Sequence, residues 1–185
     1  MKKKIAISIV AVALVLCCAI GGTLAWLTDK TGTVENTFTV GNINIDLTET
    51  EREYKMVPGN QLDKDPTVDV KPNSEACYLF VKVEKSTNFD AFLEYAMATG
   101  WTQLVDDKGN KVDGVFYRTV DAATAKVGTS YPVLANNKVT VKGEVTKGQL
   151  DALTEATYPK LTFTAYAVQQ DNIADAYTAW THRNG

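Results

Sequence analysis

Residues 76–84 read ACYLFVKVE, and their alternation decides the fold class. Cys77, Leu79, Val81 and Val83 recur at every second position, and Tyr78, Phe80 and Lys82 fill the other phase. A period of two puts the first set on one side of an extended chain and the second on the other. β-Branched and aromatic residues dominate, as a pleated surface favours. Residues 161–168, LTFTAYAV, repeat the pattern: Leu161, Phe163, Ala165 and Ala167 alternate with Thr162, Thr164, Tyr166 and Val168. Two long strands are therefore expected, far apart in sequence.

Outward from these strands the chain is punctuated by turns. In 37–47, Phe38 and Val40 share one phase and Ile43, Ile45 and Leu47 the other. The phase flips at Gly41-Asn42, where either a bulge or a break between two short strands fits. Pro58-Gly59 suits the centre of a β-turn. Residues 67–70 form a short strand between Pro66 and Pro72, and the prolines predict an edge position. Asn88 is placed to cap a short helix carrying Phe89, Phe92, Leu93 and Ala96. Residues 101–105 and 115–120 read as strands joined through the turn residues 106–110. Val133-Leu134 and 139–141 flank Asn136-Asn137, a hairpin signal. Thr146 and Gln149 form a capping box that opens a helix through Leu150 and Leu153, ended by Pro159. Asp171 or Asn172 caps a terminal helix bearing Ile173, Ala176, Tyr177 and Trp180. Roughly seven to nine short strands with two or three helical insertions predict an all-β, jelly-roll-like antiparallel sandwich. No repeat or low-complexity linker divides residues 26–185, so a single domain is expected there.

The first 25 residues carry a different signal. Lys2, Lys3 and Lys4 precede an apolar run from Ile5 to Ile20, then Gly21-Gly22 and Thr23-Leu24-Ala25. Thr23 and Ala25 fit the small positions of a signal-peptidase site, with Trp26 as the first mature residue. The rival is an uncleaved anchor, since no charge occurs between Ile5 and Thr28 and that length crosses a bilayer. Gly21-Gly22 weakens a helix just before the cut and favours cleavage. Lipidation is disfavoured because Leu16 stands before Cys17 where a small residue is needed. Cleavage removes Cys17 and Cys18, leaving Cys77 as the one thiol, expected to be buried, with no internal disulfide.

Charge and chemistry exclude several functions. Three of the 19 basic residues lie in the signal, leaving 16 against 22 acids, a net of −6. An acidic domain does not attract nucleic acid. The one histidine, His182, lies near the C-terminus, so no histidine pair exists for an HExxH zinc site and no packed base for a catalytic triad. Cys77 likewise lacks a histidine to activate it. Asp106, Asp107, Asn110 and Asp113 resemble a calcium loop loosely, but Lys108 and Lys111 interrupt them and a hairpin turn is the simpler reading. Asp63 and Asp65 read as surface charge. Tyr78, Trp101, Tyr117 and Trp180 are weighed as a carbohydrate groove and read as core. No catalytic residue, cofactor or metal is expected, and the chain is read as a non-enzyme.

Three segments together resemble the TasA/camelysin family of secreted proteins. They are GGTLAWLTDKTGTVENTFTVGNINIDLTE at 21–49, MVPGNQLDKDPTVDVKPNSEACYLFVKVE at 56–84, and FTAYAVQQDNIADAYTAW at 163–180. The middle, 89–155, carries no such likeness. The resemblance implies a jelly-roll sandwich, export from a Gram-positive-type cell through a SipW-type signal peptidase, and assembly into extracellular matrix or biofilm fibres. The family has also been classed as metalloproteases, a label this sequence's donor set does not support.

A physical route to a fibre follows. Cleavage would free an arm whose apolar side chains, Leu27, Val34, Phe38 and Val40, can complete a sheet. The arm either pairs within its own subunit or adds to a neighbour, and head-to-tail addition gives a filament. The expected partners are further copies or related matrix proteins, with the membrane touched only through the signal segment. The alternatives are a monomeric adhesin or carbohydrate-binding sandwich and, less favoured, a secreted metalloprotease.

Overall fold

The computed structural model describes residues 43–50 and 55–183. The signal segment, the cleavage residues Thr23, Ala25 and Trp26, the arm residues Leu27, Val34, Phe38 and Val40, and the Gly41-Asn42 flip all lie outside the described residues. The elements run β1 (Ile45–Thr48), β2 (Gln61–Asp63), β3 (Thr67–Val70), β4 (Cys77–Lys85), α1 (Phe89–Phe92), β5 (Leu93–Met97), β6 (Thr102–Val105) and β7 (Lys111–Val120). They continue with α2 (Ala122–Val127), β8 (Thr129–Pro132), β9 (Leu134–Val141), α3 (Lys147–Asp151), β10 (Leu161–Gln169) and α4 (Ala176–His182).

The two strongly alternating segments pair with each other. β10 and β4 run antiparallel over nine residues, with Ala165 opposite Val81 and Tyr166 opposite Phe80. They belong to a four-stranded sheet ordered β10-β4-β7-β6, faced by two three-stranded sheets, β1-β3-β8 and β2-β9-β5. Every pair is antiparallel. The chain is all-β in the sandwich sense expected from its turns.

The phases of β4 map onto two separate cores. Cys77, Leu79, Val81 and Val83 join Val68, Val70, Leu93, Val139 and Val141 between the sheets. Tyr78 and Phe80 point the other way and are covered by Ala176, Ala179 and Trp180 of α4. The Phe80 and Trp180 rings lie 5.4 Å apart, and Tyr166 meets Trp180 edge-on at 5.3 Å. This explains why β4 is apolar on both faces, unlike a sheet with one wet side.

Several expectations are corrected. Residues 67–70 form the middle strand of their sheet, not an edge, because the prolines stand just outside the ladder. Pro66 still contributes its carbonyl, which accepts from the Val133 N–H at 2.9 Å. The helix at Asn88 is a single turn that ends at Leu93, which is extended at φ −130° and ψ 155°. The Asn88 amide makes no cap; it donates to the Thr157 carbonyl at 2.7 Å. Leu93, Tyr95 and Met97 also alternate, and pairing with β9 selects that period over the helical one. Asn136-Asn137 is no hairpin but an irregularity within β9, where Met97 meets Leu134 while Tyr95 meets Val139. Both asparagines sit at left-handed φ, 54° and 55°, which Asn tolerates better than most residues. The terminal helix is capped by Asp175, whose carboxylate accepts from the Thr178 N–H at 2.7 Å, and Asn172 lies in a left-handed turn before it. The capping box at Thr146 and Gln149 is present, though α3 stops before Leu153. The described residues hold four helices, not two or three.

Candidate functional site

The side chains that could carry chemistry are scattered. His182 is exposed on the last turn of α4, its Nδ1 2.9 Å from the Thr178 carbonyl. Cys77 is fully buried, and that burial pushes its thiol up to about 11, so it stays protonated and unreactive. Asp106 closes the β6–β7 turn. Its carboxylate accepts from the Lys108 N–H at 2.9 Å, the Asn110 N–H at 2.7 Å and the Asn110 amide at 3.0 Å. The Asn110 side-chain bond leads the causes that hold this carboxyl below its usual range. Its oxygens serve the turn rather than a cation.

Of the other acids weighed from sequence, Asp63 pairs with Lys138 at the surface. Asp65 accepts from the Thr50 hydroxyl at 2.6 Å and its N–H at 3.0 Å, which lowers its pKa. Tyr78, Trp101 and Trp180 are buried and Tyr117 is half-buried, so the four do not line a groove. Among the described residues no three His, Cys, Asp or Glu side chains cluster to hold a metal.

What the described fold does present is an open side. β1 pairs only with β3, and β10 only with β4, among the described residues. The two strands lie beside one another at the edge of the sandwich without sharing a ladder. Ile45 and Leu47 from β1, with Phe163, Ala165 and Ala167 from β10, face the inner core. All five are only half-buried, whereas Val68, Leu79 and Val81 behind them are 0% exposed. The Lys64 ammonium sits 5.5 Å from the centre of the Phe163 ring and 2.5 Å from the Glu49 carboxylate. A rim whose strand edges have no ladder partner among the described residues, with half-covered apolar side chains, is the chemistry a further strand would satisfy. Alternation in β10 was visible in the sequence, but its edge position was not.

In sequence, residues 26–42 directly precede Ile43, two residues before β1. Residues 1–73 match a protein-family model described as camelysin metallo-endopeptidase. No curated protein and no solved structure matches the chain. The matched region ends just beyond β3, so the four-stranded sheet and α4 lie outside it.

Proposed function

We propose, from the likeness of residues 1–73 to the camelysin family model, that the chain is an exported structural subunit of extracellular fibres or of a cell-surface layer. Assembly runs head to tail: the arm carrying Leu27, Val34, Phe38 and Val40 of one copy adds along the open rim between β1 and β10 of the next. The observation that carries this reading is the half-burial of Ile45, Leu47, Phe163, Ala165 and Ala167 beside two strand edges that pair with no further strand among the described residues. Completing the burial of one large apolar side chain contributes about 1.5–3 kcal/mol at most, so several along one strand suffice for stable docking. Backbone hydrogen bonds supply the register. Addition of this kind does not close on itself and extends into a filament.

Removal of the first 25 residues by a signal peptidase acting at Thr23 and Ala25 would release the arm from the membrane and time its assembly. Electron microscopy of protein recovered outside the cell tests the proposal. Filaments are expected from the natural protein, and only monomers after deletion of residues 26–40. Filaments persisting without those residues would refute the arm's role.

The family description favours a second reading, a metallo-endopeptidase. The donor set does not fit one: the sequence has one histidine, and it sits exposed on α4. A casein-cleavage assay with and without chelator decides between the readings. Chelator-sensitive proteolysis by the pure protein would establish the second.

A further inference from the structure

The opposite side of the sandwich is built differently. β6 stops pairing with β7 at Thr102 opposite Tyr117, so β7 runs on beyond its neighbour. In that stretch Arg118 pairs with Leu79 of β4 and shares its inward phase, between Phe116 and Val120. Its guanidinium lies 3.9 Å from the centre of the Tyr131 ring, on β8, and 5.4 Å from that of Trp101. β8 is itself an edge of its sheet.

Arg118 has company but no counter-charge. Its side chain makes none of the ion pairs or hydrogen bonds of the described residues, and its Nε is screened from water with no partner among them. Arg183, the other described arginine, donates to the Trp180 carbonyl at 2.8 Å. The surroundings are shaped for the guanidinium: a Cβ on Gly100 would stand 2.7 Å from its Nη2. Trp101 is locked beside it by the bond from its indole N–H to the Pro132 carbonyl, 2.9 Å. Aromatic faces offset part of the cost of desolvating a cation, but they leave its planar fork of N–H donors unused.

We propose that the Arg118 guanidinium, framed by Gly100, Trp101 and Tyr131, is a docking site for a carboxylate side chain presented by a protein partner. A guanidinium fork matches a carboxylate in shape and charge, and a half-buried one binds it more strongly than an exposed one. An acidic sugar is the competing source of that group. Sugars bind by stacking on exposed aromatic faces, and Trp101 is only 9% exposed, so a slender acidic side chain fits the site better. The site does not depend on the arm: it lies on the other side of the sandwich.

The test is a titration of the full-length, 15N-labelled chain in neutral detergent, following the Arg118 Nε–H resonance. The probes are acetyl-Ala-Glu-Ala-amide, its Gln counterpart, glucuronate and sodium chloride. Saturable binding of the Glu peptide is expected, about tenfold tighter than the Gln peptide. Arg118→Lys should weaken it, and Arg118→Met should abolish the Glu preference, read on the Trp101 indole signal, which also reports that the site is intact. Equal response to the Glu and Gln peptides, or none, overturns the site. Tighter binding of glucuronate overturns the protein partner.

Discussion

Along one side of the sandwich, where β1 meets β10, the inward positions are Ile45, Leu47, Phe163, Ala165 and Ala167, all half-buried. Along the other, where Arg118 of β7 reaches Tyr131 of β8, the inward phase of β7 carries Arg118 between Phe116 and Val120, with the guanidinium stacked on Tyr131. Each place holds a sheet edge among the described residues, β1 and β10 on one side and β8 on the other, and both face the same core. An apolar rim is stabilised by anything that covers it. A charged rim resists covering, because an unpaired guanidinium would lose its water. Inward charge is a known guard against promiscuous edge pairing. The difference teaches that two open places on the described sandwich can differ in what they accept: the apolar one suits any apolar strand, the charged one only a group that pairs with the guanidinium.

The comparison can be broken most directly at the apolar rim. Ala165→Asp puts a charge where the docking strand would lie. Burying it there costs about 3 kcal/mol or more, so the concentration needed for assembly should rise about 100-fold. Sedimentation against protein concentration measures this, with circular dichroism showing that the monomer remains β-structured. Assembly at the natural threshold would remove the β1–β10 rim from the mechanism.

A smaller effect is expected at the charged rim. Gly100 has φ +93°, and a side chain there would both strain the backbone and displace the guanidinium. Gly100→Ala should lower unfolding stability by about 1–3 kcal/mol in urea melts and alter Trp101 fluorescence. Filament formation should be unaffected if only the apolar rim drives assembly.

The smallest expected effect sharpens the apolar side. Thr50, just past β1, donates twice to Asp65, just before β3, and thereby ties the two strand ends together. Those bonds depress the Asp65 carboxyl, so their stabilisation is present above the pKa of the unfolded chain, near 4, and fades as pH falls through the lower folded value. Thr50→Val removes the hydroxyl bond. Stability at pH 7 to 8 should fall by up to about 0.5 kcal/mol, the difference should fade as pH drops through the folded pKa, and the acid-unfolding midpoint should move slightly upward in pH. An unchanged acid midpoint would show that Asp65 does not couple to folding.

Much of the strand framework was legible because burial on a pleated surface writes itself as alternation. Residues 76–84 show it on both phases, and the structure buries both, one in each core. The capping box at Thr146 was equally legible, since its two reciprocal bonds need only four consecutive residues. β2 and β8 left no comparable trace: they span three and four residues and are half-exposed, too short for a period to emerge. At 93–97 two periods overlapped, and partner pairing chose between them. The site at Arg118 was invisible in sequence, since Trp101, Arg118 and Tyr131 belong to three different segments.

By itself the sequence determined the class of fold and the poverty of catalytic groups: alternation, turn residues and a single histidine are local facts. It also carried the family likeness in residues 1–73. Only the tertiary structure decided which strands lie at edges. Edge position depends on which distant segments pair, and the same alternating stretch serves equally in the middle of a sheet or at its border. That choice left β10 beside β1 with apolar side chains half-covered, and turned Arg118 inward with no carboxylate to meet it among the described residues.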